Sequence, residues 1–146
     1  MKKFFKVVAL FVLAISLVGC SSEKTNTYQI ENEGIKSTLI YTYKGDTVIR
    51  QETVNEMEYA SVGINNKEDA KLLFDSYAAD LASIEGIEHA IDYQDDLLVE
   101  KMSIDYETID MEVAADVAGI ISEGNTEKIS MKQSEEKLLE MGYEKI

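Results

Sequence analysis

The sequence predicts an α+β domain: an antiparallel sheet built from two hairpins, one face packed against one main amphipathic helix, with one or two shorter helices. Three observations carry this. Residues alternate with period two over Ile35–Tyr43 and again over Ile87–Tyr93. Each run is followed by a turn signal and a second β-rich run. Between the two hairpins, Ala70, Leu73, Phe74, Tyr77, Leu81 and Ile84 fall on one helical stripe.

In chain order, Tyr28–Glu33 reads as a short first strand. Ile35, Ser37, Leu39, Tyr41 and Tyr43 share one side of the next, with Lys36, Thr38, Ile40 and Thr42 on the other. Lys44-Gly45-Asp46 is a turn, and Thr47–Tyr59 returns with β-branched residues. Asn66 is placed to cap the free amides of the main helix, and Gly86 to stop it. Its stripe predicts Leu73 in the core. Ile87–Tyr93, the turn Gln94-Asp95-Asp96 and Leu97–Asp105 form the second hairpin. A weaker helix is expected over Thr108–Ala118 and a loop over Gly119–Asn125. Ser130 with Gln133 is a capping-box pattern opening a last helix through Leu138 and Leu139, ended by Gly142.

The first 19 residues differ from all of this. Lys2, Lys3 and Lys6 form a basic head, and Val7–Val18 is apolar except for Ser16. These are the two leading regions of a secretory signal. Twelve apolar residues fall short of the roughly 20 that span a bilayer. Leu17-Val18-Gly19-Cys20 resembles the bacterial lipobox. That resemblance implies a thioether-linked diacylglycerol on Cys20, cleavage after Gly19, and a mature N-terminus at Cys20. Two acyl chains of roughly fifteen methylenes each, at about 0.8 kcal/mol per methylene, give an anchor on the order of 20 kcal/mol. Residues 20–27 then read as lipidated N-terminus and polar tether, and 28–146 as one domain. The tether Ser21–Thr27 would reach at most about 23 Å.

Cleavage removes three of the 14 Lys+Arg and none of the 28 Asp+Glu, leaving 11 against 28 and a formal charge of −17. Phosphate binding needs a basic patch, so nucleic acid is not an expected partner. Lipid rather than charge must hold the domain to an anionic bilayer. Cys20 is the only cysteine, so the lipidated chain has no thiol and no disulfide, and packing alone stabilises it.

Candidate chemistry is sparse. His89 is the only histidine and, on an apolar strand face, reads as a packed core residue. Zinc would need further Cys or His ligands. No Gly-x-Ser-x-Gly elbow supports a serine triad. Asp92, Asp95 and Asp96 fail the calcium-loop pattern, since Leu97 stands where Gly belongs and Ser103 where Glu belongs. They remain weak candidates for a nonstandard cation site. With 28 acids, a pair at glycosidase spacing arises by chance. Catalytic residues and cofactors are therefore not assigned, apart from the covalent diacylglycerol. Tyr41, Tyr43, Tyr93 and Tyr106 lie on or beside strands. Their rings suit either the margin of a small core or an exposed recognition face.

Five pieces together resemble one family: "STLIYTYKGDTV" (Ser37–Val48), "NKEDAKLLFD" (Asn66–Asp75), "EHAIDYQDD" (Glu88–Asp96), "MSIDYETID" (Met102–Asp110) and "SEEKLLEMGYEKI" (Ser134–Ile146). In this order and spacing they look like the YehR-like bacterial lipoproteins, a family of unknown function. The resemblance implies an exported α+β lipoprotein and brings no catalytic residues. The expected role is a noncatalytic cell-envelope module on the outer side of the cytoplasmic membrane, binding a protein, peptide or small ligand. Ser21 lacks the Asp that favours inner-membrane retention, so the outer membrane is the alternative in an organism with two membranes. Rival readings are a small extracytoplasmic enzyme using acidic residues and a cation-binding structural protein.

Overall fold

The structure is a computed structural model that describes residues 22–110, 112–113 and 128–146. β1 (Lys24–Asn32), β2 (Ile35–Lys44) and β3 (Thr47–Glu58) form a meander. A 3-10 turn (Tyr59–Val62) leads to α1 (Lys67–Ala82), β4 (Ile87–Tyr93) and β5 (Leu97–Asp105). β6 (Ile129–Ser130), α2 (Met131–Glu140) and β7 (Glu144–Lys145) close the chain. All strand pairs are antiparallel, in the order β4-β5-β3-β2-β1-β7. β6 pairs with Thr47 and Val48 of β3, continuing the lane that β5 leaves at Asp105.

The register sorts the side chains. Tyr28, Leu39, Thr53, Met102 and His89 stand in one cross-strand row. Thr27, Ile40, Glu52, Ser103 and Glu88 stand in a row on the opposite face. Both helices pack on the first face. α2 sets Met131 and Leu138 against Tyr28, Leu39 and Tyr41. α1 sets Leu81 with Ile87 and Ile104, and Ala70 with Leu98. Tyr106 touches both the α2 side and the α1 side of this core.

Local signals place the helix ends. Asn66 Oδ1 accepts from the Asp69 amide at 2.9 Å, and Ser130 Oγ accepts from the Gln133 amide at 3.2 Å. The turn residue Asp46 reaches across to α2, accepting from Ser130 Oγ at 2.7 Å and the Lys132 amide at 2.9 Å. These bonds hold the Asp46 carboxyl below its ordinary value. Gly86 joins α1 to β4 at φ 88°, and a Cβ there would lie 2.8 Å from the Ile109 nitrogen. No other residue fits that turn without displacing Ile109.

Two expectations are corrected, and a third falls mostly outside the described residues. The sheet begins at Lys24, not Tyr28, so Lys24–Thr27 of the expected tether is strand paired with Tyr43–Ile40. That stretch is polar on both faces, and so shows no period. Leu73 is not in the core: it is 62% exposed, and Leu72 84%. α1 lies along β4, the edge strand, and buries Ala70 and Leu81 with Phe74 half-buried, which turns Leu73 outward. Of the helix expected over Thr108–Ala118, Thr108 lies in a turn and Glu112 and Val113 have helical backbone. Its other residues at 111 and 114–118, and the loop Gly119–Asn125, lie outside the described residues.

Leu81→Asp buries an unpaired carboxylate at a site 3% exposed, and cooperative urea unfolding should be lost. Leu73→Asp should shift stability by less than about 0.5 kcal/mol, because it changes a surface position. An equal effect of the two variants in the same urea titration would show that α1 is rotated from the orientation described.

Candidate functional site

The middle inward positions of β3, Gln51, Thr53 and Asn55, are polar; they lie between the inward apolar residues Val48 and Met57 of the same strand and between two apolar halves of the core. Burial of such groups is costly unless they are hydrogen-bonded. Gln51 Nε2 donates to Thr53 Oγ1 at 3.3 Å, and Tyr106 Oη donates to Gln51 Oε1 at 2.9 Å. Asn55 sits in a longer chain. Tyr143 Oη donates to Ser37 Oγ (3.3 Å), Ser37 Oγ to Asn55 Oδ1 (2.7 Å), and Asn55 Nδ2 to Glu100 Oε2 (2.8 Å). The other Glu100 oxygen meets His89 Nε2 at 2.8 Å. β2, β3, β5 and β4 each contribute one member.

Against the Glu100 carboxylate, Nε2 of His89 is the donor of this bond. Nδ1 is buried and has no hydrogen-bond partner among the described residues. The imidazole is 0% exposed, closed over by the Tyr77 ring edge-on at 5.7 Å and 79°. A general base must reach its substrate. This one is sealed, so the His89–Glu100 pair ties β4 to β5 rather than presenting a proton acceptor.

Tyr77 links the buried row to the surface. It is 45% exposed, and burial together with the Glu100 charge raises its hydroxyl's pKa. Leu73 lies one turn before it on α1, and Leu72 is exposed about 100° further round the same helix. Glu68 and Asp75 lie four residues before and three after Leu72, Asp69 lies four before Leu73, and Asp80 three after Tyr77. These spacings put the acids on the same helical surface. Lys71 lies on the same side as Asp75, four residues away, its ammonium 5.8 Å from the Tyr93 ring centre, and the Tyr93 hydroxyl donates to Asp75. The result is an exposed aliphatic and aromatic strip with an acidic border.

The four tyrosines singled out by sequence do not share an exposed face. Tyr41 is buried, edge-on to Tyr28 at 6.1 Å, and burial pushes its hydroxyl up to about 12. Tyr43 and Tyr106 are half-buried against the same cluster, and burial raises Tyr106 strongly. Tyr93 lies apart from these three, on the α1 flank, donating to Asp75 Oδ1 at 2.8 Å. Burial and that bond push its hydroxyl up to about 12. Asp92 is taken by Gln94 Nε2 at 3.0 Å, and Asp95 and Asp96 lie in the hairpin turn. Among the described residues no three His, Cys, Asp or Glu side chains are grouped to hold a metal ion. The lipobox Leu17-Val18-Gly19-Cys20 lies outside the described residues.

Sequence reasoning missed Ser37, Asn55 and Glu100. Their signal is a polar residue at an inward position of three different strands, which becomes a network only once the register is known. It missed Leu72 altogether and assigned Leu73 to the core.

A family model described as a protein of unknown function, DUF1307, matches residues 24–144. The uncharacterized lipoprotein Lmo0207 of Listeria monocytogenes is 37% identical over 148 residues, covering 100% of this chain and 97% of its own. The uncharacterized lipoprotein YehR of Escherichia coli is 31% identical, covering 99% and 96%. The NMR structure of the E. coli YehR protein superposes with a TM-score of 0.76 at 27% identity, over 86% of this chain and 92% of its own. An NMR structure of a Streptococcus pneumoniae protein shares the fold, with a TM-score of 0.56 at 16% identity and 92% coverage of each chain.

Two measurements probe the buried groups. Asn55→Ala leaves Glu100 and Ser37 short of partners and should cost about 1–3 kcal/mol in urea unfolding; a change near zero would show that the row carries no load. The tyrosines set an alkaline limit. The unfolded chain releases their protons from about pH 10, whereas folded Tyr41 keeps its proton to about 12. Stability is therefore full below pH 10 and falls between 10 and 12, by about 1.4 kcal/mol per pH unit for each fully retained tyrosine proton. A flat stability profile over that window would contradict the burial of Tyr41.

Proposed function

The chain belongs to the DUF1307 family of proteins of unknown function, and from that premise we propose that it is a lipid-anchored, noncatalytic interaction module on the outer side of the cytoplasmic membrane. Its relatives are lipoproteins by name, and Cys20 with the preceding Leu17-Val18-Gly19 supplies the attachment chemistry. The observation that carries the binding role is the exposure of Leu72, Leu73 and Tyr77 on one helix, 84%, 62% and 45%, with Leu73 and Tyr77 one turn apart. Contiguous exposed apolar groups with a polar border mark interaction sites, and aromatic anchors contribute most of their energy.

The border selects the partner. Glu68, Asp69, Asp75 and Asp80 disfavour an anionic bilayer, and they disfavour the same strip on a second copy, which carries the same charges. A protein or peptide segment with apolar anchors flanked by Lys or Arg fits both features.

The test is crosslinking in the native envelope. A photoreactive residue at Leu73 should capture a reproducible protein, and one at Thr38 on the open sheet face should not. Asp69→Lys with Asp80→Lys should abolish that capture. Recovery of no reproducible protein from the Leu73 position would count against the binding role. Cys20→Ala should release the protein from the membrane fraction; a variant that stays bound at mature size would refute the anchor.

A further inference from the structure

The sheet has two edges, and they are finished differently. On one side β7 pairs with Tyr28 and Gln29 of β1. On the other, β4 ends the sheet, and no strand among the described residues pairs with its outer side. Two bonds set the phase of the β4–β5 ladder. The Asp105 amide donates to the Gly86 carbonyl at 2.8 Å, and the Gln94 amide donates to the Leu97 carbonyl at 2.9 Å. Glu88, Ala90 and Asp92 therefore bond to β5, and the backbone groups of His89, Ile91 and Tyr93 point outward from the sheet. The Ile87 amide on that side is taken by the Ile84 carbonyl at 3.1 Å.

Exposed edges are ordinarily blunted by proline, lysine or a bulge. β4 holds neither proline nor lysine, and its register with β5 runs unbroken from Ile87 to Tyr93. Its exposed side chains are Glu88, Ala90 and Asp92, on the open face of the sheet. Two copies pairing antiparallel along β4, in the register of greatest overlap, would set Glu88 against Asp92 twice. Charge thus turns a second copy away from this edge. The surroundings share the sign. Glu85 precedes the strand, and Asp95 and Asp96 follow it. The cations on this side, among the described residues, are Lys101, Lys67 and Lys71. Lys101 opposes Ala90 on β5 and is already engaged. Lys67 and Lys71 are one turn apart at the start of α1, with Lys71 beside Asp75 and over the Tyr93 ring.

α1 leaves room for a strand here. It packs mainly on β4 rather than β5. A helix about 10 Å across, centred on an edge strand where strands lie about 4.8 Å apart, overhangs the sheet. Tyr77 stands on the β5 side, over His89 where its Nε2 meets Glu100. The flank away from β5 carries Lys71, Asp75, Ala78 and Ala82, at i, i+4, i+7 and i+11. Beside His89 and Ile87 that flank is alanine.

We propose that the open edge of β4 is a docking site for an extended segment of another protein, which adds as a further strand with Lys or Arg on one face and apolar residues on the other. Main-chain bonds to His89, Ile91 and Tyr93 supply the attachment, and alternate side chains supply the selection. In such a strand the residues opposite Glu88, Ala90 and Asp92 lie on the open face, where their cations meet the two carboxylates. Those opposite His89 and Ile91 lie beneath the alanine flank of α1, where apolar side chains fit. This surface is separate from Leu73 and Tyr77, which lie on the other flank of α1, and does not depend on them.

The probe is a capped peptide of alternating lysine and valine, as long as β4, added to the full chain purified from membranes. Amide exchange is read by NMR. The His89, Ile91 and Tyr93 amides should exchange freely in the protein alone and about tenfold more slowly with the peptide. A peptide of the same composition with its lysines in one block and its valines in another should give no such protection. Neither should the alternating peptide methylated on its edge-facing amides. Glu88→Lys with Asp92→Lys changes exposed positions and should leave the rest of the exchange pattern as it is. It should abolish protection by the lysine–valine peptide and confer protection by a glutamate–valine one. Protection by all these peptides alike would show charge adhesion and overturn the proposal. So would protection at β1 instead of β4, or none with the alternating peptide. Amides already protected in the protein alone would overturn it too. Protection that persists on dilution would show that the chain covers this edge itself, and protection lost on dilution would show a second copy.

Discussion

The pairing of β3 with β2 on one edge and β5 on the other is the constraint on which the rest of this structure depends. It brings the meander and the second hairpin into one sheet. It also puts a polar seam, Gln51, Thr53 and Asn55, in the middle of the packed face. Each seam residue is satisfied by a neighbour on the same or an adjacent strand or by Tyr106. A slip of one residue would turn Glu52 and Val54 inward and break the row from Tyr143 to His89 at once. The seam therefore specifies register in a chain that has no disulfide to do so.

The same seam divides the core. α2 covers the β1–β2 side with Tyr28, Leu39 and Tyr41, and α1 covers the β4–β5 side with Ile87, Leu98 and Ile104. Because α1 follows the edge strand, it buries one line of its surface and leaves Leu72 and Leu73 outside. A helix over the sheet centre would have buried its whole stripe, at the expense of the hydrogen-bonded row beneath Tyr77. The surface strip is thus a consequence of how the buried polar groups are housed.

Much of the domain was legible residue by residue. Strict alternation over Ile35–Tyr43 and Ile87–Tyr93 revealed both hairpins, and Asn66, Ser130 and Gly142 marked helix ends, because period and capping are local properties. Lys24–Thr27 was illegible as strand, since its partner Ile40–Tyr43 supplies the hydrogen bonds while its own side chains show no period. The candidate site was legible only in fragments. Four tyrosines drew attention for their chemistry, and three of them proved to be packed around one cluster.

The sequence by itself determined the fold class, the single cysteine and the surplus of acids, all of which depend on residue identity and spacing along the chain. Tertiary structure decided which apolar residues are surplus to the core and which polar residues meet inside it. Those outcomes depend on which strands become neighbours and where a helix comes to rest on them. A helical stripe specifies a direction on the helix, but the width of that stripe that is buried is set by the surface it meets.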